Sequence, residues 1–141
     1  MFTLRMFAVA AYGLVGLGLI AQGFRYLVAS RYMHYHADVV HEGWGQLKKS
    51  EQRLILGLLR GFGAGMFCVG LTTVFVSFGP LRDGAYMASW FLAILSIAYT
   101  VMLVRVTRFA LLPKAAPIMV TSIMLGLSVA AALAGCLQWF I

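Results

Sequence analysis

Four long apolar segments constrain the fold of this chain more than any other feature of its sequence. They cover about residues 6–26, 54–78, 85–104 and 117–139. Each is long enough for a helix that crosses the hydrocarbon core of a bilayer, which takes about 20 residues. Helices and closed β-barrels satisfy their backbone hydrogen bonds in lipid, and these segments do not alternate in hydrophobicity as barrel strands do. The sequence therefore predicts an all-α integral membrane protein, a bundle of four transmembrane helices in a single domain.

The composition excludes an ordinary soluble fold. Hydrophobic residues make up 62% of the 141 residues and charged residues 11%, against about 45–50% and about 25% in soluble proteins. The net charge is +7, but the basic residues stand between apolar segments, whereas a nucleic-acid-binding domain presents them on one face in water. We therefore expect the lipid bilayer as the main partner, with basic side chains at the headgroups, and no nucleic acid.

The distribution of lysine and arginine predicts the orientation in the membrane. The N-terminus contributes only Arg5 and the second connection only Arg82. Nine basic residues flank or occupy the first and third connections: Arg25, Arg31, Lys48, Lys49, Arg53, Arg60, Arg105, Arg108 and Lys114. Because basic loops stay in the cytoplasm, we predict both termini outside and these two connections inside, in the inner membrane of a bacterium. Residues 79–84 are predicted to form an exterior hairpin turn. The first apolar segment exceeds the hydrophobic part of a typical signal peptide, so we interpret it as a retained span.

Small residues recur along the apolar segments. Gly57, Gly61 and Gly65 are spaced by four in the second segment, and Gly126 and Ala130 have the same spacing in the fourth. In lipid, helices associate through close backbone approach at such residues. The pattern predicts that these five residues mediate helix packing. We favour packing inside the bundle, although the same faces would also serve a homo-oligomer.

A polar segment from residue 31 to 53 interrupts the apolar pattern. It contains all three histidines and three of the four acidic residues, namely His34, His36, His41, Asp38, Glu42 and Glu51. If residues 34–42 are helical, His34, Asp38, His41 and Glu42 share one face. Together with His36 they form a candidate zinc or non-haem iron site. The spacing matches no closed metal motif, and an interfacial amphipathic segment or a binding surface are the alternatives.

The same segment is predicted to fold over the mouth of the bundle as a cap. Tyr35 and Trp44 would be its apolar anchors, and His36 would face the mouth. Asp38 or Glu42 would then come within reach of Arg25 and Arg60, although Arg60 could instead extend to the headgroups. The predicted binding residues are Tyr32, Tyr35, His36, Asp38, His41, Glu42, Trp44 and Arg60.

Some motifs of this chain resemble those of a known group. They are Tyr32-Met33-His34-Tyr35-His36, Gly43-Trp44, and Leu59-Arg60-Gly61 followed by residues 62–65. In their order the chain resembles small uncharacterised bacterial four-helix membrane proteins and is more loosely similar to the DoxX-like families. Members usually carry proline at the position of His34, which implies that His36 is the better candidate for a shared role. The resemblance implies a fold and no activity.

The sequence favours a non-catalytic function. We expect the 31–53 segment to bind a small amphipathic or lipid-like ligand, or to dock onto a larger membrane complex. The alternative is a metal-dependent membrane enzyme that uses the histidines and carboxylates of that segment. No cofactor is predicted, because the histidines lie in one segment and haem needs them on facing helices. A transporter is disfavoured, since the middle of each span contains no acidic residue, lysine or histidine.

The remaining polar and sulfur-containing residues of the spans are predicted to be structural. We expect the hydroxyls of Thr72, Thr73, Ser96, Thr100 and Ser128 to bond their own helix backbone. Cys68 and Cys136 each stand alone in an apolar segment, without a CxxC or metal-ligand spacing. They are therefore interpreted as small core residues.

Overall fold

The computed structural model of the protein describes residues 2–32, 43–110 and 115–137. These residues form four α-helices and no strand: α1 (Phe2–Leu27), α2 (Lys49–Val76), α3 (Tyr86–Ala110) and α4 (Ala115–Leu137). All four are long and apolar enough to cross a membrane. The predicted all-α chain with four such helices is confirmed. Since α2 begins at Lys49, the last five residues of the polar 31–53 segment are already helical.

The connection between α2 and α3 is shorter than predicted. The helix continues from α2 into a π-helical turn, Ser77–Leu81, which contains Pro80. Proline lacks an N–H group, and the wider turn is closed instead by the Arg82 N–H, which donates to the Ser77 carbonyl at 3.2 Å. The prediction of a turn over residues 79–84 is therefore wrong in its first half. Only the residues after Leu81 reverse the chain, and Gly84 among them has a positive φ of 89°.

The helices pack in the order α2, α1, α4, α3. The main contacts of α1 are with α2 on one side and α4 on the other, and α4 in turn packs against α3, whereas α2 and α3 touch little. Only 17% of the apolar window of α2 is buried inside the chain, against 44% in α1 and in α3. One broad face of α2 therefore has no partner among the described residues.

Two apolar clusters fill the space between the helices. The first includes Tyr12, Leu92 and Ala131 from three helices, together with Leu81 of the π-helical turn. The second lies further along α1, where Leu19 packs with side chains of the other three helices; its buried members are Val15, Leu19, Tyr26, Met66, Leu103 and Met124. The first cluster is thus at the end of the bundle where α2 is connected to α3.

The contact between α1 and α2 is a contact between backbones. A Cβ added to Gly16 would lie 3.0 Å from the carbonyl oxygen of Gly70, and a Cβ added to Gly70 would lie 2.7 Å from the carbonyl oxygen of Gly16. Gly23 and Gly63 face each other in the same way. Such close approach is how small residues hold helices together in lipid.

The glycines predicted for this role lie on another face of α2. A Cβ added to Gly57, Gly61 or Gly65 would meet nothing within 4 Å, and the same holds for Gly126 of α4. Ala130 is half-buried. These four glycines therefore lie at no close helix contact among the described residues, and on α2 it is the face with Gly63 and Gly70 that α1 contacts. Their alternative role, contact with a second copy, stays a prediction.

Most buried serine and threonine hydroxyl groups are satisfied within their own helices. The side chains of Thr73, Ser77, Ser96, Thr100 and Ser128 each donate to the carbonyl four residues earlier, at 2.6–2.8 Å. The exposed Thr72 does the same at 3.0 Å. The predicted structural role of Thr72, Thr73, Ser96, Thr100 and Ser128 is confirmed, and Ser77 has the same role. The prediction for the cysteines is wrong for Cys68, which is exposed on α2, while Cys136 on α4 is half-buried.

Candidate functional site

The described parts of the polar 31–53 segment are its two ends, and an aromatic contact joins them. The rings of Tyr32 and Trp44 meet edge to face, with centroids 5.1 Å apart and planes at 87°. Tyr32 is buried and Trp44 is half-buried. Edge-to-face pairs of this kind contribute about 0.5–1.5 kcal/mol beyond the area that they bury. The contact therefore holds together the described residues on either side of 33–42.

A compact turn follows Trp44 and leads into α2. The Gln46 N–H donates to the Gly43 carbonyl at 2.8 Å, and the Gly43 N–H donates to the Oε1 atom of Gln46 at 2.9 Å. Leu47 is buried at the end of this turn. Burial of this apolar side chain therefore stabilises the turn.

Gln52 in the first turns of α2 ties this turn to the helix. Its Nε2 atom donates to the carbonyls of Trp44 and Leu47, at 2.8 and 3.1 Å. A side-chain amide has two N–H donors, and both are used here. Sequence reasoning missed Gln52, because a glutamine at a helix start carries no signal for a contact eight residues back.

The start of α2 is also capped locally. The Lys48 N–H donates to the Oε2 atom of Glu51 at 2.9 Å, as in one half of a capping box. A carboxylate in the first turn also interacts favourably with the helix dipole. Glu51, one of the acidic residues of the polar segment, therefore has a structural role in starting α2.

Arg60 connects α2 to the end of α1. Its Nη2 atom donates to the Ala29 carbonyl at 3.3 Å, a long hydrogen bond. Ala29 follows the last turn of α1, where the Ala29 N–H donates to the Tyr26 carbonyl. Arginine side chains often satisfy carbonyls at such helix ends. The predicted pairing of Arg60 with Asp38 or Glu42 lies outside the described residues.

Tyr32, Trp44, Leu47, Gln52 and Arg60 form a frame at an end of the bundle that is rich in basic residues. At this end of the bundle the exposed basic residues are Arg25, Arg31, Lys48, Lys49, Arg53, Arg60, Arg105 and Arg108. Among the described residues here, the only carboxylate is that of Glu51. Basic side chains grouped in this way attract anionic groups such as lipid phosphates.

The structure describes three of the eight predicted binding residues. It brings Tyr32 and Trp44 together and places Arg60 against the end of α1. Tyr35, His36, Asp38, His41 and Glu42 lie outside the described residues, as does His34 of the candidate metal site. The cap and the metal site therefore stay predictions. The other two residues of the frame, Leu47 and Gln52, were not singled out by the sequence.

No protein-family model, curated protein or solved structure matches this chain. The resemblance to DoxX-like families stays a prediction.

Proposed function

We propose that this chain is a non-catalytic integral membrane protein of a bacterial inner membrane, which binds a small anionic amphipathic ligand through its 31–53 segment. Docking of the same segment onto a larger membrane complex is the second form of the proposal. The observation that carries it is the Tyr32–Trp44 contact, held at a bundle end rich in exposed basic side chains.

The placement in a membrane is supported by what the helices expose. Large apolar side chains point outward from every helix, among them Leu14, Leu58, Phe75, Met87, Ile94 and Leu133, each more than half exposed. A soluble protein rarely exposes so much apolar surface to water. In a bilayer these side chains contact lipid. The basic residues then lie at the two ends, and the more basic end is expected on the cytoplasmic side.

The frame supports binding because it fixes both ends of the 33–42 stretch. A loop that is ordered only when its ligand arrives loses conformational entropy at that moment, which weakens binding. Here the Tyr32–Trp44 contact and the two hydrogen bonds of Gln52 restrict the loop ends beforehand. The frame therefore favours binding of a ligand at the place where Tyr32 and Trp44 meet.

The chemistry of the ligand follows from the surroundings of the frame. Exposed guanidinium and ammonium groups favour a phosphate or carboxylate headgroup. The adjoining helices expose apolar side chains, which favour a hydrocarbon tail. An anionic amphiphile has both parts.

The experiment uses Trp44 as its reporter. Trp90→Phe and Trp139→Phe leave Trp44 as the only tryptophan of the three in the chain. The protein is placed in phosphatidylcholine nanodiscs and titrated with lysophosphatidylglycerol or, as the neutral comparison, lysophosphatidylcholine. We expect a saturable change in Trp44 emission with at least tenfold tighter binding of the anionic compound.

Charge variants at opposite ends of the bundle provide the control. Arg53→Gln, beside the frame, should weaken binding at least threefold, whereas Arg82→Gln, in the turn after α2, should leave it unchanged. Equal response to both lysolipids, or to both variants, would contradict ligand binding at the frame and leave docking as the remaining form. Metal analysis of the purified protein tests the enzyme alternative separately.

A further inference from the structure

An apolar groove lies between α3 and α4, at the end of the bundle opposite the 31–53 segment. Its volume is about 350 Å³, and no polar atom is exposed on its wall. Trp90, Ala93 and Ile97 contribute from α3; Ala132, Leu133 and Cys136 contribute from α4. Ala93 and Ala132 are buried and form the floor, while Leu133 is 58% exposed and forms part of the rim.

The groove is elongated along the helices. On α3 its lining extends from Trp90 to Ile97, a distance of about 10 Å at 1.5 Å per residue. On α4 it extends over a similar length, from Val129 to Leu137. In a membrane-spanning bundle this direction is close to that of the lipid chains.

We propose that this groove binds one acyl chain of a phospholipid, lying along α3 and α4. The proposal goes beyond the ligand site at the 31–53 segment and shares with it only the placement in a membrane. Because no polar atom is exposed on the wall, a polar group bound there would lose its hydration with little compensation. Only a hydrocarbon part of a ligand fits that wall.

The rim of the groove favours an acyl chain over a protein helix. In lipid, helices associate through close backbone approach at small residues. The rim residues Trp90, Leu133 and Leu137 are large and exposed, so they would hold the backbone of a second helix away from the groove. An acyl chain is flexible and much thinner than a helix, so it can lie between these side chains, over the buried Ala93 and Ala132.

Aromatic residues mark the end of the groove at which the lipid headgroup would lie. Trp90 contacts Tyr86 edge to face, with ring centroids 6.3 Å apart, at the start of α3. Tryptophan and tyrosine are enriched where membrane meets water. The bound chain would then extend from Trp90 toward Ile97 and the middle of the bilayer.

The test is photolabelling in a bilayer. Protein in nanodiscs contains a small fraction of phosphatidylcholine with a diazirine in the middle of one chain, and labelled peptides are mapped by mass spectrometry after irradiation. A specific site should give at least threefold more label in residues 90–97 and 129–137 than in residues 54–75 of α2. Labelling by exposure alone would favour α2, which is the least buried of the four helices.

Two groove-filling variants and a matched control complete the test. Ile97→Trp and Leu133→Trp each place a larger ring in the groove and should reduce its labelling at least threefold. Ile94→Trp makes the same change on α3 at a residue that is 68% exposed and does not line the groove, so labelling should be unchanged. Leu133→Trp carries the test if Ile97→Trp does not fold. Three results would overturn the proposal: labelling that follows exposure alone, labelling of the groove that persists in both groove-filling variants, or a crosslink between two copies through the groove.

Discussion

Gly23 of α1 and Gly63 of α2 pack so closely that the backbone of each fills the space where a Cβ atom of the other would lie. A Cβ on Gly23 would lie 2.7 Å from the Gly63 carbonyl oxygen, and a Cβ on Gly63 would lie 2.8 Å from the Gly23 carbonyl oxygen. Neither backbone atom can move without moving its helix. The separation of α1 and α2 is therefore set by these two residues and by the Gly16–Gly70 pair.

The first prediction compares two glycines of the same helix. Gly63→Ala should lower the melting temperature in detergent, because overpacking of this kind costs about 1–3 kcal/mol. Gly61→Ala should leave it unchanged or raise it, since its Cβ meets nothing and alanine is the better helix former by about 1 kcal/mol. Equal effects of the two changes would contradict the observed face. If Gly61→Leu dissociates an oligomer, the outer glycines form a contact between copies.

The sequence predicted the helices more reliably than the face by which they pack. Hydropathy alone identifies four spans, because a bilayer requires about 20 apolar residues for each. The packing face of α2 could not be predicted in this way, because the helix contains one set of glycines that faces α1 and another that faces outward. Both sets satisfy the small-residue pattern, and only the position of α1 distinguishes them.

The candidate site could also be predicted only in part from the sequence. Tyr32 and Trp44 stood out as aromatic residues in a polar segment, and they do pack together. Gln52 did not stand out in the sequence, because its role depends on the turn that brings the Trp44 and Leu47 carbonyls to it. Pro80 misled the prediction of the turn, since proline usually ends a helix and here lies within a π-helical turn.

A second prediction concerns Gln52. Gln52→Ala removes two hydrogen bonds from the turn before α2, each worth about 0.5–1.5 kcal/mol. We expect amide hydrogens in residues 44–47 to exchange at least fivefold faster with deuterium. Arg53→Ala, at the next and exposed position, is the control and should leave the exchange unchanged. Unaltered exchange in Gln52→Ala would mean that Leu47 and the Tyr32–Trp44 contact hold the turn alone.

The turn between α2 and α3 provides a third prediction, at Gly84. Its φ of +89° disfavours any side chain, and an added Cβ would lie 2.7 Å from the Nη1 atom of Arg5. Gly84→Ala should therefore destabilise the protein by about 1–2 kcal/mol from backbone strain alone. Gly79→Ala, where a Cβ has open space, should be nearly neutral in the same thermal melt.

Replacing Arg5 separates the two causes of the expected destabilisation in Gly84→Ala, which are backbone strain and steric conflict with the Arg5 side chain. In an Arg5→Ala background the steric conflict disappears, while the backbone strain remains. Gly84→Ala should then cost less than in the parent protein, but still more than Gly79→Ala. An unchanged cost would show that the flexible Arg5 side chain moves aside freely.

The fourth prediction tests the orientation in the membrane. With most of the lysine and arginine residues on the side of the first and third connections, the positive-inside rule places the C-terminus outside. A C-terminal alkaline phosphatase fusion should be active and a C-terminal green fluorescent protein fusion dark. The reverse pattern would place the 31–53 segment outside the cytoplasm.

The last prediction concerns Tyr12, which lies fully buried between α1, α3 and α4. Its hydroxyl has no hydrogen-bond partner among the described residues. Ser96 lies nearby, but its hydroxyl proton is donated to the Leu92 carbonyl at 2.6 Å, so Ser96 cannot donate to the Tyr12 oxygen. An unsatisfied buried hydroxyl costs about 1–3 kcal/mol, so Tyr12→Phe should raise the stability of the protein by roughly 1 kcal/mol.

A larger truncation at the same residue should lower the stability of the protein instead of raising it. Tyr12→Ala removes the whole ring from the core and should cost about 3–5 kcal/mol, as other large aromatic truncations do. Thermal melts of the three proteins in one detergent give both values. A loss of stability in Tyr12→Phe would show that the Ser96 oxygen accepts a hydrogen bond from Tyr12 in the membrane, and that the two residues join α1 to α3.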